Sequence, residues 1–205
     1  MTKLAVLVGS HRPQSQSAKV GRFIEAMICK EFPGTETFGF DLGGHPLPLW
    51  DEGLRTWEEK WEKTWRSISR ELKSCDGFIV IAPAWHGMAP PALKNLLLLC
   101  EEKEQELAHK AGLIVAVSSS MGGAFPVAEL RMSSYKNTHL CYIPEHITIR
   151  YVGDIFNQDE AIWGEEVYIR QRLKYALSLL IEYAKALKAV RESGVIDTKN
   201  YLWGM

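Results

Sequence analysis

The chain has 205 residues, 46% of them hydrophobic and 24% charged, with a formal net charge of -1; this suits one α/β domain over residues 1–205 and is short for two. The near-neutral balance gives no electrostatic basis for binding nucleic acid or an acidic membrane surface, and no apolar run approaches the roughly 20 residues that insert across a bilayer. The first apolar run starts almost at residue 1, so a cytoplasmic setting without a signal peptide is expected, and the scattered Cys29, Cys75, Cys100 and Cys141 read there as reduced, buried thiols rather than disulfides or metal ligands.

A first strand is expected at 3–8, ending in Gly9, Ser10, His11 and Arg12. A helix follows, marked by Val20, Phe23, Ile24, Met27 and Ile28 at helical spacing. Unpaired N–H groups at a helix start favour an anion. Hydroxyls of Ser10, Ser15 and Ser17 and the guanidinium of Arg12 add the donors that a phosphate dianion needs. The dinucleotide fingerprint G-x-G-x-x-G is absent, as is G-x-x-x-x-G-K-[ST], so a terminal monophosphate is favoured over a pyrophosphate. A serine-capped helix start with a solvated arginine accounts for the same residues equally well.

The second strand is expected at 36–41, followed by a loop carrying Trp50 and a helical stripe of Trp57, Trp61, Trp65, Ile68 and Leu72. Spacing of four puts these rings on one face, which packs on a sheet; for Trp50 and Trp57, nearest the strand ends, a ring contact or an interface is the alternative. The third strand, 77–82, leads into "IAPAWHGMAPPALKN", a loop stiffened by prolines. Pro90 and Pro91 open the next helix, whose Leu93 and Leu96 to Leu99 are apolar around more of its circumference than one sheet face covers. Either a partner subunit or the long final helix is expected to bury them. The fourth strand, 112–118, ends in three serines and a glycine pair. A helix at about 125–138, a strand at 146–152 and a helix at about 160–192 complete the chain. Strict alternation implies a doubly wound parallel sheet with helices on both faces. Ligands then bind beyond the carboxyl ends of the strands, after the first, third and fourth.

"GSHRPQSQSAKV" resembles the phosphate loop of the NAD(P)H-dependent FMN reductases, whose G-S-x-R-x-x-S is matched by Gly9, Ser10, Arg12 and Ser15, with Ser17 where that family has a small polar residue. The loop after the third strand is similar to the family's P-E-Y-N-G-x-x-P-x-x-L-K-N. Pro83, Gly87, Pro90, Leu93, Lys94 and Asn95 match it, while Ala84, Trp85 and His86 replace Glu, Tyr and Asn, and Leu98 and Leu99 stand where many relatives have Asp-Trp. The serine- and glycine-rich turn followed by Leu130 and Arg131 has its counterpart too, so the likeness spans about residues 3–150.

The resemblance implies a flavodoxin-like three-layer sandwich with a five-stranded sheet in the order 2-1-3-4-5. It implies FMN as cofactor and NADPH or NADH as co-substrate, with ping-pong hydride transfer to a quinone, a flavin or a similar small acceptor. Carried over residue by residue, Ser10, Arg12, Ser15, Gln16 and Ser17 would hold the phosphate. Pro83, Ala84, Trp85, His86 and Gly87 would lie beside the ring, and Ser118, Ser120, Gly122 and Gly123 at its polar edge. Trp85 either stacks on the ring or fills the gap between sheet and helix. His86 is the one candidate proton donor, with a plain exposed loop histidine as the alternative; the flavin otherwise carries the chemistry and no metal is expected. A homodimer or homotetramer is also implied. Two rivals are a flavodoxin-type electron carrier, usually far more acidic than this chain, and a phosphate-ester enzyme, for which no loop cysteine or metal cluster is evident.

Overall fold

The computed structural model describes residues 1–100, 105–161 and 163–204. Three strands, β1 (Thr2–Val8), β3 (Gly77–Pro83) and β4 (Ala111–Val117), are almost continuous runs of aliphatic residues and are buried along nearly their whole length. Such runs satisfy a parallel strand covered on both faces. With β2 (Thr35–Asp41) and β5 (Cys141–Ile149) at the edges, they form one parallel sheet in the order β2-β1-β3-β4-β5. This is the flavodoxin-like order expected from the sequence.

Alternation along each strand divides the interior into two cores. Leu4, Val6, Val8, Ile79 and Ile81 point to the face covered by α1 (Gln16–Glu31) and α6 (Gly164–Glu192), where Val20, Ile24, Leu173 and Leu177 meet them. Ala5, Leu7, Phe78, Val80 and Ala82 point to the other face. It is covered by α2 (Glu59–Thr64), α3 (Arg66–Ser74), α4 (Pro91–Leu99) and α5 (Ala124–Ser133). No helix among the described residues is long and apolar enough to cross a membrane.

Several boundaries differ from the sequence expectation. The last strand runs from Cys141 to Ile149 rather than over 146–152. Its first half is half-exposed and contains Pro144 and Glu145, and the pairing skips from Gly112↔Tyr142 to Ile114↔His146. One residue of β4 thus stands opposite three of β5, a bulge. The carbonyls of Ile143, Pro144 and Glu145 accept from Arg131 Nη2 at 2.7, 3.2 and 3.2 Å. Helix α5 stops at Ser133, short of 138, and α6 starts at Gly164 rather than 160; residue 162 of that expected helix lies outside the described residues.

The tryptophan stripe is not one helix. Asp51 caps a short 3-10 turn, Glu52–Thr56, which ends at Trp57 in the left-handed conformation (φ 53°). Trp57 therefore lies outside α2, half-buried, with the Arg66 guanidinium 4.1 Å from its ring centre. Trp61 and Trp65 are fully buried in the second core. The indole N–H of Trp61 donates to Asp51 Oδ1 at 3.0 Å, fixing the 3-10 turn to the helix it precedes.

The leucines of α4 correct another expectation. Leu93, Leu96, Leu97 and Leu99 are buried within the chain, in the core they share with Trp61, Trp65, Leu72 and Leu130. Helix α6 lies in the other core, so it does not cover them, and only Leu98, 60% exposed, remains for a partner. Among the cysteines Cys75 and Cys100 are buried, whereas Cys29 is exposed and Cys141 half-buried, contrary to expectation. Burial raises the Cys75 thiol pKa to about 11, which keeps it protonated and unreactive.

Trp65→Ala is expected to cost about 3–5 kcal/mol, the range for emptying a large aromatic site in a core. Urea unfolding monitored by far-UV circular dichroism checks this; a loss below about 1 kcal/mol would mean that the second core closes over the gap.

Candidate functional site

At the end of β1 the chain must cross the carboxyl end of β3, and Gly9 permits it. Its N–H donates to Ile81 O at 2.9 Å, and a Cβ at this position would stand 2.6 Å from that oxygen and 2.8 Å from Leu93 Cδ2. The loop is thereby drawn onto the sheet edge. Ser10 is buried, and its Oγ accepts from Arg12 N at 3.3 Å. Ser15 caps α1: its Oγ accepts from Ala18 N at 3.0 Å and its carbonyl from the N–H groups of Ala18 and Lys19. Ser15 therefore has the capping role expected of a serine at a helix start, and that role is compatible with an anion site. A hydroxyl that accepts with its lone pair still has its hydrogen to donate, and the N–H groups of Gln16 and Ser17 have no earlier helical turn to bond. The Arg12 side chain is exposed and makes no ion pair among the described residues.

The loop after β3 is a tight hairpin. Ala84 N bonds Val117 O at 2.8 Å, and then Trp85 N to Met88 O (3.0 Å) and Met88 N to Trp85 O (2.8 Å) close a two-residue turn. Its central residues, His86 and Gly87, have φ of 50° and 78°. Two successive positive φ values define the type I′ turn, which Asn-Gly fills best and which His tolerates better than most residues. Neither the His86 nor the Gly87 N–H has a main-chain partner among the described residues. Trp85 meets His11 of the first loop edge-on, ring centres 4.6 Å apart, so the two loops touch.

Asn95 reaches the other way. Its Oδ1 accepts from Trp50 N and its Nδ2 donates to Pro48 O, both at 2.8 Å, so this motif asparagine pins the loop after β2 onto α4. Trp50 is held in that loop and faces the groove between α4 and α5.

After β4, Ser118 is buried and structural. Its N–H bonds Ile149 O at 2.9 Å, its carbonyl accepts from Val152 N at 3.1 Å, and its Oγ accepts from Ser120 N at 3.2 Å. Ser120 O accepts from Tyr151 N at 3.4 Å, which ties this turn to the segment after β5. Gly123 has φ 121°, and a Cβ there would come within 2.5 Å of Thr148 Cγ2. No other residue lets α5 start so close to β5.

These loops enclose a hollow of about 210 Å³ at the carboxyl edge of the sheet. Ser10, Arg12, Ser15, Gln16 and Ser17 line it from the first loop, and Pro83, Ala84 and Trp85 from the second. His86, Gly87, Ser118, Ser120, Gly122 and Gly123 do not line it: the first two lie at the exposed hairpin tip and the others shape the third loop. Gln14, Val117, Ser119 and Val152 line it and were not singled out in the sequence. Val152 falls at the end of the strand expected over 146–152, and Ser119 lies between the candidates Ser118 and Ser120 with the same residue type as both. Lys19 Nζ donates to Val152 O (2.8 Å), Ile155 O (2.6 Å) and Asn157 Oδ1 (2.9 Å), holding the wall that Val152 supplies.

Two larger hollows lie elsewhere, about 760 Å³ between α1 and α6 and about 560 Å³ between α4 and α5. Neither is lined by the first loop, and the donor chemistry favours the smallest of the three. Its donor set of serine hydroxyls, first-turn N–H groups and an unpaired arginine fits a phosphate monoester. Its volume is below the roughly 300–1,000 Å³ of sites that engulf a whole ligand. The donor set and the size suit the phosphate end of FMN, and whatever is attached to that phosphate has to extend beyond the hollow.

Residues 2–153 match the sequence model of the NADPH-dependent FMN reductases, whereas no curated protein matches the chain by sequence. Among solved structures, the flavoenzyme NAD(P)H:(acceptor) oxidoreductase FerB from Paracoccus denitrificans superposes with a TM-score of 0.67 at 17% identity, covering 91% of this chain and 98% of that one. The apo form of an NADH:FMN oxidoreductase, EmoB, gives 0.64 at 15% identity, over 91% and 90% of the two chains. An azoreductase from Bacillus anthracis gives 0.57 at 14% identity, over 91% and 99%. At such identities the structural likenesses speak for the fold, and the sequence match carries the family. The chain belongs to the NADPH-dependent FMN reductase family, oxidoreductases that take FMN as cofactor and a reduced nicotinamide as co-substrate.

Proposed function

We propose that residues 1–205 act as one FMN-binding unit that oxidises NADPH or NADH and reduces a quinone, a flavin or a similar small acceptor. The observation that carries this is the convergence of three loops on one hollow at the carboxyl edge of the sheet, with Arg12 and the start of α1 on one side and the Trp85–Met88 hairpin on the other. Ser10, Arg12, Ser15, Gln16 and Ser17 would hold the phosphate; Pro83, Ala84, Trp85, His86 and Gly87 would lie beside the ring. Ser118, Ser120, Gly122 and Gly123 shape the turn at its polar edge. FMN held by these residues would supply the redox chemistry, hydride transfer from the nicotinamide to the acceptor in a ping-pong sequence.

The chain's own contribution is placement. Charge-assisted donors fix the phosphate end, and a hairpin locked by its own ladder presents the N–H groups of His86 and Gly87 without further ordering. His86 is exposed at the tip, and no carboxylate is hydrogen-bonded to it among the described residues. A merely exposed loop histidine is therefore the better description. A cytoplasmic setting goes with this activity, since reduced nicotinamides are cytoplasmic reductants.

A homodimer or homotetramer is part of the proposal, on different grounds from the α4 leucines. The outward face of α5 carries Phe125, Ala128 and Met132 in helical register, all exposed, with Met121 before it and Tyr135 after it. Phe125 lies beside the hairpin, 3.6 Å from where a Cβ on Gly87 would stand. A continuous apolar stripe of this kind marks an interaction surface, and a second copy seated on it would border the flavin. Its closure as a twofold is the economical arrangement.

Arg12→Ala should weaken FMN binding by about ten- to a hundredfold, since a charged hydrogen bond contributes about 1.5–3 kcal/mol. Riboflavin, lacking the phosphate, should bind wild type and variant alike; equal affinity of the wild type for FMN and riboflavin would remove the phosphate assignment. Steady-state oxidation of NADPH or NADH is expected to give parallel double-reciprocal lines, and flavin that stays oxidised under anaerobic excess of both nucleotides would put the electron-carrier alternative ahead. His86→Asn, which suits the turn, should leave turnover within about tenfold of wild type, less than the loss of a general acid brings. Met132→Glu should convert the oligomer to monomer in sedimentation velocity; a wild type that sediments as monomer at micromolar concentration would end the interface proposal.

A further inference from the structure

The hairpin that borders the hollow leaves the sheet at Ala84 and joins α4 through Ala89, Pro90 and Pro91. Trp85 and Met88 spend their N–H groups on each other, and the two prolines have none. Ala89 therefore carries the single main-chain donor between the hairpin and its helix. That N–H, fully buried, donates to Glu129 Oε2 at 2.8 Å. The other carboxylate oxygen accepts from Lys94 Nζ at 2.9 Å, one turn into α4. Glu129 stands on α5, so one side chain bridges the outgoing limb of the hairpin, the start of α4 and the middle of α5. The ingoing limb is tied separately, by Ala84 N to Val117 O.

We propose that Glu129 is a positioning residue for the flavin: it anchors the outgoing limb of the Trp85–Met88 hairpin through Ala89 N–H and so aims the loop against which the ring lies. This rests on the FMN assignment made above. Reach decides the outcome, because the anchored N–H is fixed by two prolines and cannot follow a shorter side chain. Charge is secondary. Burial alone would raise the carboxyl pKa, but the Ala89 N–H and the Lys94 ammonium outweigh it and hold it below the ordinary value, so the acceptor is ionised.

The test sets length against charge in the full-length protein. Glu129→Gln keeps the reach and an acceptor oxygen but loses the charge; Glu129→Asp keeps the charge and loses one methylene of reach. With FMN bound, the Gln variant should match wild type within about threefold in the rate of anaerobic flavin reduction by NADPH and show the same visible circular dichroism of the flavin. The Asp variant should reduce at least about tenfold more slowly, the scale of an ångström-size misplacement, with an altered visible dichroism band. Its FMN affinity should fall by less than about threefold, because the phosphate loop is untouched. Amide exchange at Ala89, read without flavin, should accelerate at least about tenfold in Asp and stay near wild type in Gln. An Asp variant with wild-type dichroism, rate and Ala89 exchange would overturn the proposal, as would the reverse ranking of the two variants, which marks a charge role toward Lys94 only. A wild type that binds no FMN would sink the flavin assignment itself, while the Ala89 exchange comparison would still decide the anchor.

Discussion

The pairing of β1 with β3 is the constraint on which the rest depends. Val8 stands beside Ile81 at the carboxyl edge, yet the chain leaves β1 toward the face of α1 and leaves β3 toward the face of α4. Two neighbouring strands that hand their chains to opposite faces must open a crevice between the loops. Gly9 is needed because the first loop has to bend over the end of β3 on its way out. The phosphate-type donor set follows from the same geometry, since a helix that starts at the crevice points its unpaired N–H groups into it.

The loops around that crevice are stiff for separate reasons, each local. The first is held by a serine cap, the second by a hairpin ladder and two prolines, the third by Ser118 bonded through its N–H, its carbonyl and its hydroxyl. The segment after β5 is held from α1, by the Lys19 ammonium on three oxygens. Loops fixed in advance lose little entropy when a ligand arrives. They also make the crevice sensitive to residues that never touch the ligand, because each loop has few anchors.

How far the sequence could be read follows the same physics. The three inner strands were legible because burial on both faces demands unbroken aliphatic runs. The edge strand β5 was not: half of it faces solvent, and Cys141-Tyr142-Ile143-Pro144-Glu145 has the composition of a loop. Misplacing it concealed Val152 as a wall of the hollow. The donor set of the first loop was legible, since serines, an arginine and a helix start lie within a few residues. Glu129 and Lys19 were not, because each acts on a partner far along the chain, and neither spacing nor residue type distinguishes them from ordinary surface charges. The tryptophan stripe misled about helix membership, not about packing: Trp57 stands outside α2 yet still packs against the second core. Periodicity located Trp61 and Trp65 correctly in the core, but it carries no information about the left-handed turn at Trp57 that ends the preceding 3-10 segment.

The bulge in β5 has a bearing on how the protein behaves in a crowded solution. A parallel sheet with two open edges is a template onto which another strand can be added, and proteins that leave such an edge bare tend to stick to one another. Here Pro144 offers no N–H to an incoming chain, and the carbonyls at the bulge are already taken by Arg131. The irregularity that made the strand hard to recognise also makes it a poor seed for fibrils. Filling the bulge with a regular β-branched sequence would tidy the sheet and expose the protein to edgewise aggregation.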